Sequence, residues 1–425
     1  MKRYFTFIFA MLCTLSFASN SASDSARVLF IGNSYTAVNN LPQLFTDVAT
    51  SAGKYVFVDS NTPGGYTFQM QSTDATTTAK IMQGGWDYVV IQGQSQEPSF
   101  PDGQFFSDTY PYAITLNNMI KTYNPCAKTV FYMTWGRKNG DAGNCASFPP
   151  LCTYQGMDSL LHLRYCLMAD STHGLVSPVG AAWHSVRDNY PTLELYQSDE
   201  SHPTVAGSYI AACSFYSVIF KSDPTLITNY SGLAPSDAQF IQNTVKTIVY
   251  DSLLKWNVGK FLPVANFSYT NSNNYTVNFT NLSTDAINYI WDFGDGNTST
   301  LANPTHTYGA SGTYNITLKA IQCNLNNTIN YPITILPSFI NENKPQEFKV
   351  TPNPVSDKLI ITSDCFAKEV YQIKITNAMG MLVYEGSSTL KKEQSIDVRN
   401  LKNGAYFISI INKDKQTFNL KVVKK

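Results

Sequence analysis

Val28-Leu29-Phe30-Ile31 is an unbroken apolar run closed by Gly32-Asn33, which predicts a buried strand. From Leu41 the period changes. Leu41, Leu44, Phe45, Val48, Ala49 and Ala52 recur at helical spacing, and Gly53 stops the pattern. Val56–Val58, Tyr88–Ile91 and Thr129–Met133 predict three more strands. Helical patterns separate them, and Met157–Ala169 and Thr204–Phe220 predict two further helices. Strands alternating with helices predict an α/β domain whose parallel sheet is covered on both faces.

From about Phe261 the texture changes. Short alternating runs such as Tyr275–Phe279 and Tyr314–Leu318 are separated by Asn, Ser and Gly clusters, which predicts a small antiparallel sandwich. Residues 341–346 are a polar linker, and the chain beyond Phe348 again reads all-β, with turns at Met379-Gly380 and Asn403-Gly404. The expected boundaries are 23–260, 261–338 and 339–425.

The first 22 residues stand apart. Met1-Lys2-Arg3 is basic, Tyr4–Phe17 is apolar but short, and Ser16-Phe17-Ala18 offers small residues for cleavage. This is the pattern of a secretory signal peptide cut near Ala18 or Ala22. No other segment reaches the roughly 18 apolar residues of a membrane-spanning helix.

Composition fits an exported β-rich chain. Of 425 residues, 43% are hydrophobic and only 14% charged, with 30 Lys and Arg against 30 Asp and Glu. Neutral charge without a basic stripe argues against nucleic acid as a partner. Residues 339–425 hold 14 of the cations against 9 acids, so this end is positive and the rest negative. Cys145 and Cys152 flank a Pro-Pro loop and predict a disulfide in an oxidising compartment. Cys126, Cys166 and Cys213 sit in apolar contexts, which suits either free thiols or one further bridge. No Cys/His spacing resembles a zinc site.

Four short motifs carry candidate chemistry. Ser34, in Gly32-Asn33-Ser34-Tyr35-Thr36, follows the first strand and precedes the first helix, so its hydroxyl lies at the carboxyl edge of the sheet. A serine needs a base, and a histidine base needs an orienting carboxylate. Asp199-Glu200-Ser201-His202-Pro203 supplies both on one loop. Pro63-Gly64-Gly65-Tyr66-Thr67 follows the second strand and offers a backbone N–H to an oxyanion. Gln92-Gly93-Gln94-Ser95-Gln96 follows the third and offers a side-chain amide. Ser95 is a rival nucleophile. Arg137, after the fourth strand, is placed to meet a polar or anionic group. His184 and Asp188 share a helical face and read as surface or packing, and His162 and His173 have no evident partner.

Over about Arg27–Phe220 these motifs resemble the SGNH, or GDSL-like, hydrolases. The resemblance implies a three-layer, flavodoxin-like fold. It implies Ser34 as nucleophile, Asp199 and His202 as its partners, and Gly65 as oxyanion donor, with Gly64 the near alternative. Gln96 falls where the family usually has asparagine, with Gln94 as fallback, and that departure puts the third oxyanion donor in question. The absence of Gly-x-Ser-x-Gly argues against an α/β-hydrolase elbow.

Trp291-Asp292-Phe293-Gly294-Asp295-Gly296, with Asn303–Tyr308 and Gly312-Thr313-Tyr314, resembles a PKD domain. Its aromatics are expected in the core and its acidic residues in a turn. Pro352-Asn353-Pro354 and Asn403-Gly404-Ala405-Tyr406 resemble the C-terminal sorting domain of the type IX secretion system of Bacteroidetes. Together the resemblances imply a secreted or cell-surface serine esterase of a Gram-negative bacterium. Its partners would be the type IX machinery and an acylated carbohydrate or small ester, with no cofactor. A surface binding or adhesion protein with a degenerate hydrolase domain is the rival expectation. A lipase or thioesterase is a second.

Overall fold

The computed structural model describes residues 24–272, 275–336, 348–363, 370–389, 393–413 and 416–425. The expected signal peptide and the linker 341–346 lie outside these residues. The chain divides into two compact units, one ending at Lys260 and one beginning at Phe261.

The first unit runs β1 (Ser25–Ile31), α1 (Ser34–Ala37), α2 (Leu41–Ser51), β2 (Tyr55–Asn61), α3 (Phe68–Thr73), α4 (Ala75–Met82) and β3 (Tyr88–Ile91). It continues with α5 (Asp102–Gln104), α6 (Tyr110–Tyr123), β4 (Lys128–Tyr132), α7 (Tyr154–Thr172), β5 (Leu175–Ser177), α8 (Val179–Asn189), α9 (Val205–Phe220) and α10 (Pro235–Ile248). All five strands are parallel, in the order β2-β1-β3-β4-β5. This is the flavodoxin-like order, in which ligands lie beyond the carboxyl ends of the strands. Helices α2, α9 and α10 form one packed group and α3, α4, α6 and α7 another, so each face of the sheet has a helical layer.

The central strands read as unbroken apolar runs because both faces are covered. Val28, Leu29, Phe30, Val89, Ile91, Val130 and Phe131 are all buried. Helix α9 is buried at every position from Ala206 to Phe220, as befits a helix enclosed by sheet and neighbouring helices. Two features depart from the periodic reading. The chain after Ser34 makes a one-turn helix and then passes through left-handed Asn39 and Asn40 before α2 begins at Leu41, with Pro42 in its first turn. Strand β5 has only three residues, too few to register as a period.

In the second unit β6 (Phe267–Asn271), β7 (Thr276–Asn281), β8 (Asn288–Asp292), β9 (Thr298–Ser299), β10 (Thr305–Thr307), β11 (Gly312–Gln322) and β12 (Leu325–Ile335) form two antiparallel sheets, β10-β7-β6 and β12-β11-β8-β9. Phe267, Phe279 and Trp291 make its core. The acidic residues form a turn: Asp292 accepts the Gly294 N–H and Asp295 the Asn297 N–H. The remaining strands are β13 (Phe348–Thr351), β14 (Lys358–Ser363), β15 (Val370–Asn377), β16 (Leu382–Thr389), β17 (Glu393–Asp397), β18 (Gly404–Ile411) and β19 (Thr417–Lys424). They pair as β13-β14-β17 and β16-β15-β18-β19 around Leu359, Ile373 and Ile408.

Cys145 and Cys152 are bonded, closing the expected loop. Cys126 is also in a disulfide, as is Cys323, whereas Cys166 and Cys213 are free. Among the described residues no helix is long and apolar enough to cross a membrane.

Candidate active site

Ser34 is the first residue of α1, directly beyond the end of β1. At that position its amide N–H has no intrahelical acceptor. Its Oγ lies 2.8 Å from Nε2 of His202. Nδ1 of the same ring is hydrogen-bonded to Oδ2 of Asp199. Asp199 Oδ1 accepts the backbone N–H of Ser201 at 3.0 Å and of His202 at 2.9 Å, so the carboxylate folds its own loop around itself. Partial burial raises the Asp199 pKa, but the hydrogen bonds from His202 and these amides outweigh it and hold the carboxyl below its usual range. A serine, an imidazole and a carboxylate therefore stand in line, the arrangement that relays a proton away from a hydroxyl.

Asn33 builds the floor beneath Ser34, and sequence reasoning passed over it. It is buried, caps α1 through the Tyr35 N–H, and donates Nδ2 to the carbonyl oxygens of Tyr66 at 2.9 Å and Gly93 at 3.2 Å. One side chain thus ties the serine turn to the loops after β2 and β3. Gln92, also buried, accepts from the Asn33 N–H and the Thr36 hydroxyl. A Cβ on Gly32 would lie 2.8 Å from that Gln92 oxygen and closer still to Thr36, so glycine there permits the approach. The available signal was a polar residue set between a buried apolar strand and Ser34.

Gly65 has φ +74 at the tip of its turn, a conformation that favours glycine. Among the described residues neither Gly64 nor Gly65 gives its N–H to a protein acceptor. Gln96 is differently engaged. Its Nε2 donates to Asp141 Oδ2 at 2.6 Å, and its Oε1 accepts from Gln94 Nε2 at 3.1 Å. Both glutamine amides are thus spent in part on each other and on Asp141.

Asp141 is itself buried, and also accepts from Asn144 and Gly143, with Arg137 at 3.6 Å. Burial opposes its ionisation, yet these donors and the Arg137 charge keep its pKa below normal. Ser95 is buried beside the Tyr35 hydroxyl, and it is Ser34 that meets His202. His184 bonds Asp158 and Asp188 on the surface of α8, and His162 packs edge-on against Trp256. Neither meets Ser34. Among the described residues no cluster of three or more His, Cys, Asp or Glu is arranged to hold a metal.

Residues 262–334 match the family model of the PKD domain, and residues 349–425 that of the secretion system C-terminal sorting domain. Collagenase ColA of Bacillus cereus is 66% identical over 32 residues, 8% of this chain. The chain spans only 3% of that collagenase and 15% of the microbial collagenase of Vibrio alginolyticus, to which it is 28% identical over 130 residues. Among solved structures, a DUF4886 family protein from Bacteroides uniformis is similar over 54% of this chain and 95% of its own, at 16% identity and TM-score 0.45. The esterase EstA from Pseudoalteromonas sp. is similar over 45% of this chain and 94% of its own, at 14% identity and TM-score 0.32. The second unit therefore carries a PKD domain and a type IX C-terminal sorting domain, and the protein is secreted or held at the outer cell surface, as is typical of Bacteroidetes.

Proposed function

We propose that the first unit is a serine esterase of SGNH type that removes acyl groups, acetyl foremost, from carbohydrate. The observation that carries this reading is the line from Ser34 Oγ through His202 to Asp199. Ser34 Oγ gives its proton to His202 Nε2 and attacks the ester carbonyl carbon. The carbonyl π pair moves to oxygen, and the Ser34 and Gly65 N–H groups stabilise it, with the Gln96 amide as third donor. The intermediate collapses, the C–O bond to the alcohol breaks, and the alcohol takes the proton from His202. Water then attacks acyl-Ser34 by the same route, releasing the acid and restoring the hydroxyl. Asp199 holds the imidazole tautomer and stabilises its cation throughout.

The sorting domain marks the chain for export, and an extracellular setting favours a polymer-linked acyl group over a metabolite. The deciding experiment uses the full chain and a Ser34→Ala variant on a small aryl acetate, then on acetylated plant and bacterial polysaccharides. Loss of at least about 10³ in kcat on substitution is expected. Equal rates overturn the reading and favour the second one, a surface binding protein with a degenerate hydrolase domain, which the engagement of Gln96 by Asp141 supports. A series of acyl-chain lengths separates an acetylesterase from a lipase or thioesterase.

A further inference from the structure

Tyr35 follows the reactive serine, yet it is almost wholly buried and points at the opposite wall of the site. Its hydroxyl is 2.6 Å from Ser201 Oγ. Ser201 lies between Asp199 and His202 in sequence, and its N–H is one of the two amides that Asp199 accepts. Across 166 residues of sequence, then, the serine turn reaches over and grips the loop that carries the base.

Two further contacts fix that grip. The Tyr35 ring stacks face to face on Trp135, with centroids 4.8 Å apart and planes 3° from parallel. Trp135 donates its indole N–H to the Ser201 carbonyl at 3.1 Å and stacks in turn on Trp183 at 3.9 Å. The His202 ring meets Tyr35 edge-on at 5.3 Å. Ser201 is therefore held at its hydroxyl by Tyr35, at its carbonyl by Trp135 and at its N–H by Asp199.

A histidine on a surface loop has rotamer and backbone freedom that would separate it from its serine. Misplacement by about 1 Å costs about a hundredfold in rate. Burial strengthens the Tyr35–Ser201 bond by excluding competing water.

We propose that Tyr35 is a positioning residue for the esterase reaction, its bond to Ser201 setting the register between His202 and Ser34. The inference rests on the proposed esterase reading. The Tyr35 hydroxyl is spent on Ser201, whereas the proton passes between Ser34 Oγ and His202 Nε2. Loss of that hydroxyl should lower kcat while leaving KM, which substrate contacts set, nearly unchanged.

The test measures kcat and KM of the full chain on a small aryl acetate for Tyr35→Phe, Ser201→Ala, the double variant and Ser201→Thr, with thermal unfolding of each. Tyr35→Phe and Ser201→Ala should each lower kcat by a factor of about 10 to 100, with KM within about twofold. The double variant should be no slower than the slower single, because both remove one bond. Ser201→Thr, which keeps the hydroxyl, should retain most of kcat. Ser201→Ala removes a single oxygen, so it reports even where Tyr35→Phe lowers the yield of folded protein. Wild-type kcat in Ser201→Ala, or fully additive losses in the double variant, overturns the inference alone. A Ser34→Ala protein as active as the wild type overturns the esterase reading and the inference with it.

Discussion

Gln96 gives its side-chain amide to Asp141, Nε2 to Oδ2 at 2.6 Å. Asp141 lies beside the disulfide-closed loop and fixes where that amide points. Asp141→Ala is expected to release Gln96 and to leave the Asn144 amide and Arg137 without their anion. Removing the acceptor from several partly buried donors costs about 1–3 kcal/mol. A lower Tm together with a change in kcat on an aryl acetate is the expected result. An unchanged kcat would show that Gln96 takes no part in catalysis.

If Gln96 does supply a third oxyanion donor, Gln96→Ala should lower kcat by about 10²–10³ with little effect on KM. Steady-state kinetics reads this directly. Gln96→Asn, which introduces the residue usual in SGNH hydrolases, shortens the reach to Asp141 by one methylene and tests whether that link matters.

Asp199 has a pKa held below the ordinary carboxylate value near 4. A depressed carboxyl stabilises the fold above its unfolded pKa and loses that contribution as pH falls through the folded one. Asp199→Asn should therefore lower Tm by a constant amount above about pH 5, and the gap to the wild type should close below about pH 4. Melting curves across that range provide the check.

Glu97 has the opposite sign. Burial, with Asp108 nearby, pushes its carboxyl up to about 7, and its buried Oε2 has no hydrogen-bond partner among the described residues. Its protonated form is favoured in the folded chain, so stability declines as pH rises from about 4.5 through 7. Glu97→Gln should be more stable than the wild type at pH 8 and lose that advantage at pH 5. Tm measured at the two values decides it.

Trp291 is fully buried in the PKD domain, and its indole N–H bonds the Leu301 carbonyl. Trp291→Ala should destabilise that module by about 3–5 kcal/mol. Hydrolysis of a small soluble ester should not change, because Ser34, His202 and Asp199 belong to the other unit. Calorimetry and kinetics on the same protein test both statements.

The parallel sheet was legible because Val28–Ile31 and Tyr88–Ile91 are unbroken apolar runs, and such runs need cover on both faces. Ser34 and Asp199-x-x-His202 stood out because their spacing relative to those strands suits one sheet edge. Asn33 did not, since a buried amide is recognised by what it bonds, and Tyr66 and Gly93 are dozens of residues away. Nothing in the sequence linked Tyr35 or Trp135 to Ser201, which lies 166 and 66 residues further along the chain. The short β5 escaped because three residues carry no period. Gln96 was legible as a glutamine where the SGNH hydrolases that the first unit resembles usually have asparagine, but not its capture by Asp141.

His202 sits just ahead of α9, whose cap is the Thr204 hydroxyl and whose residues are buried from Ala206 onward. Amides in such a helix exchange with solvent chiefly through global rather than local opening. The loop bearing His202 is thereby joined to a helix buried at every position after its first. Heating should leave the site intact until the whole domain melts, so the proposed esterase activity and the protection of the α9 amides should vanish at the same temperature.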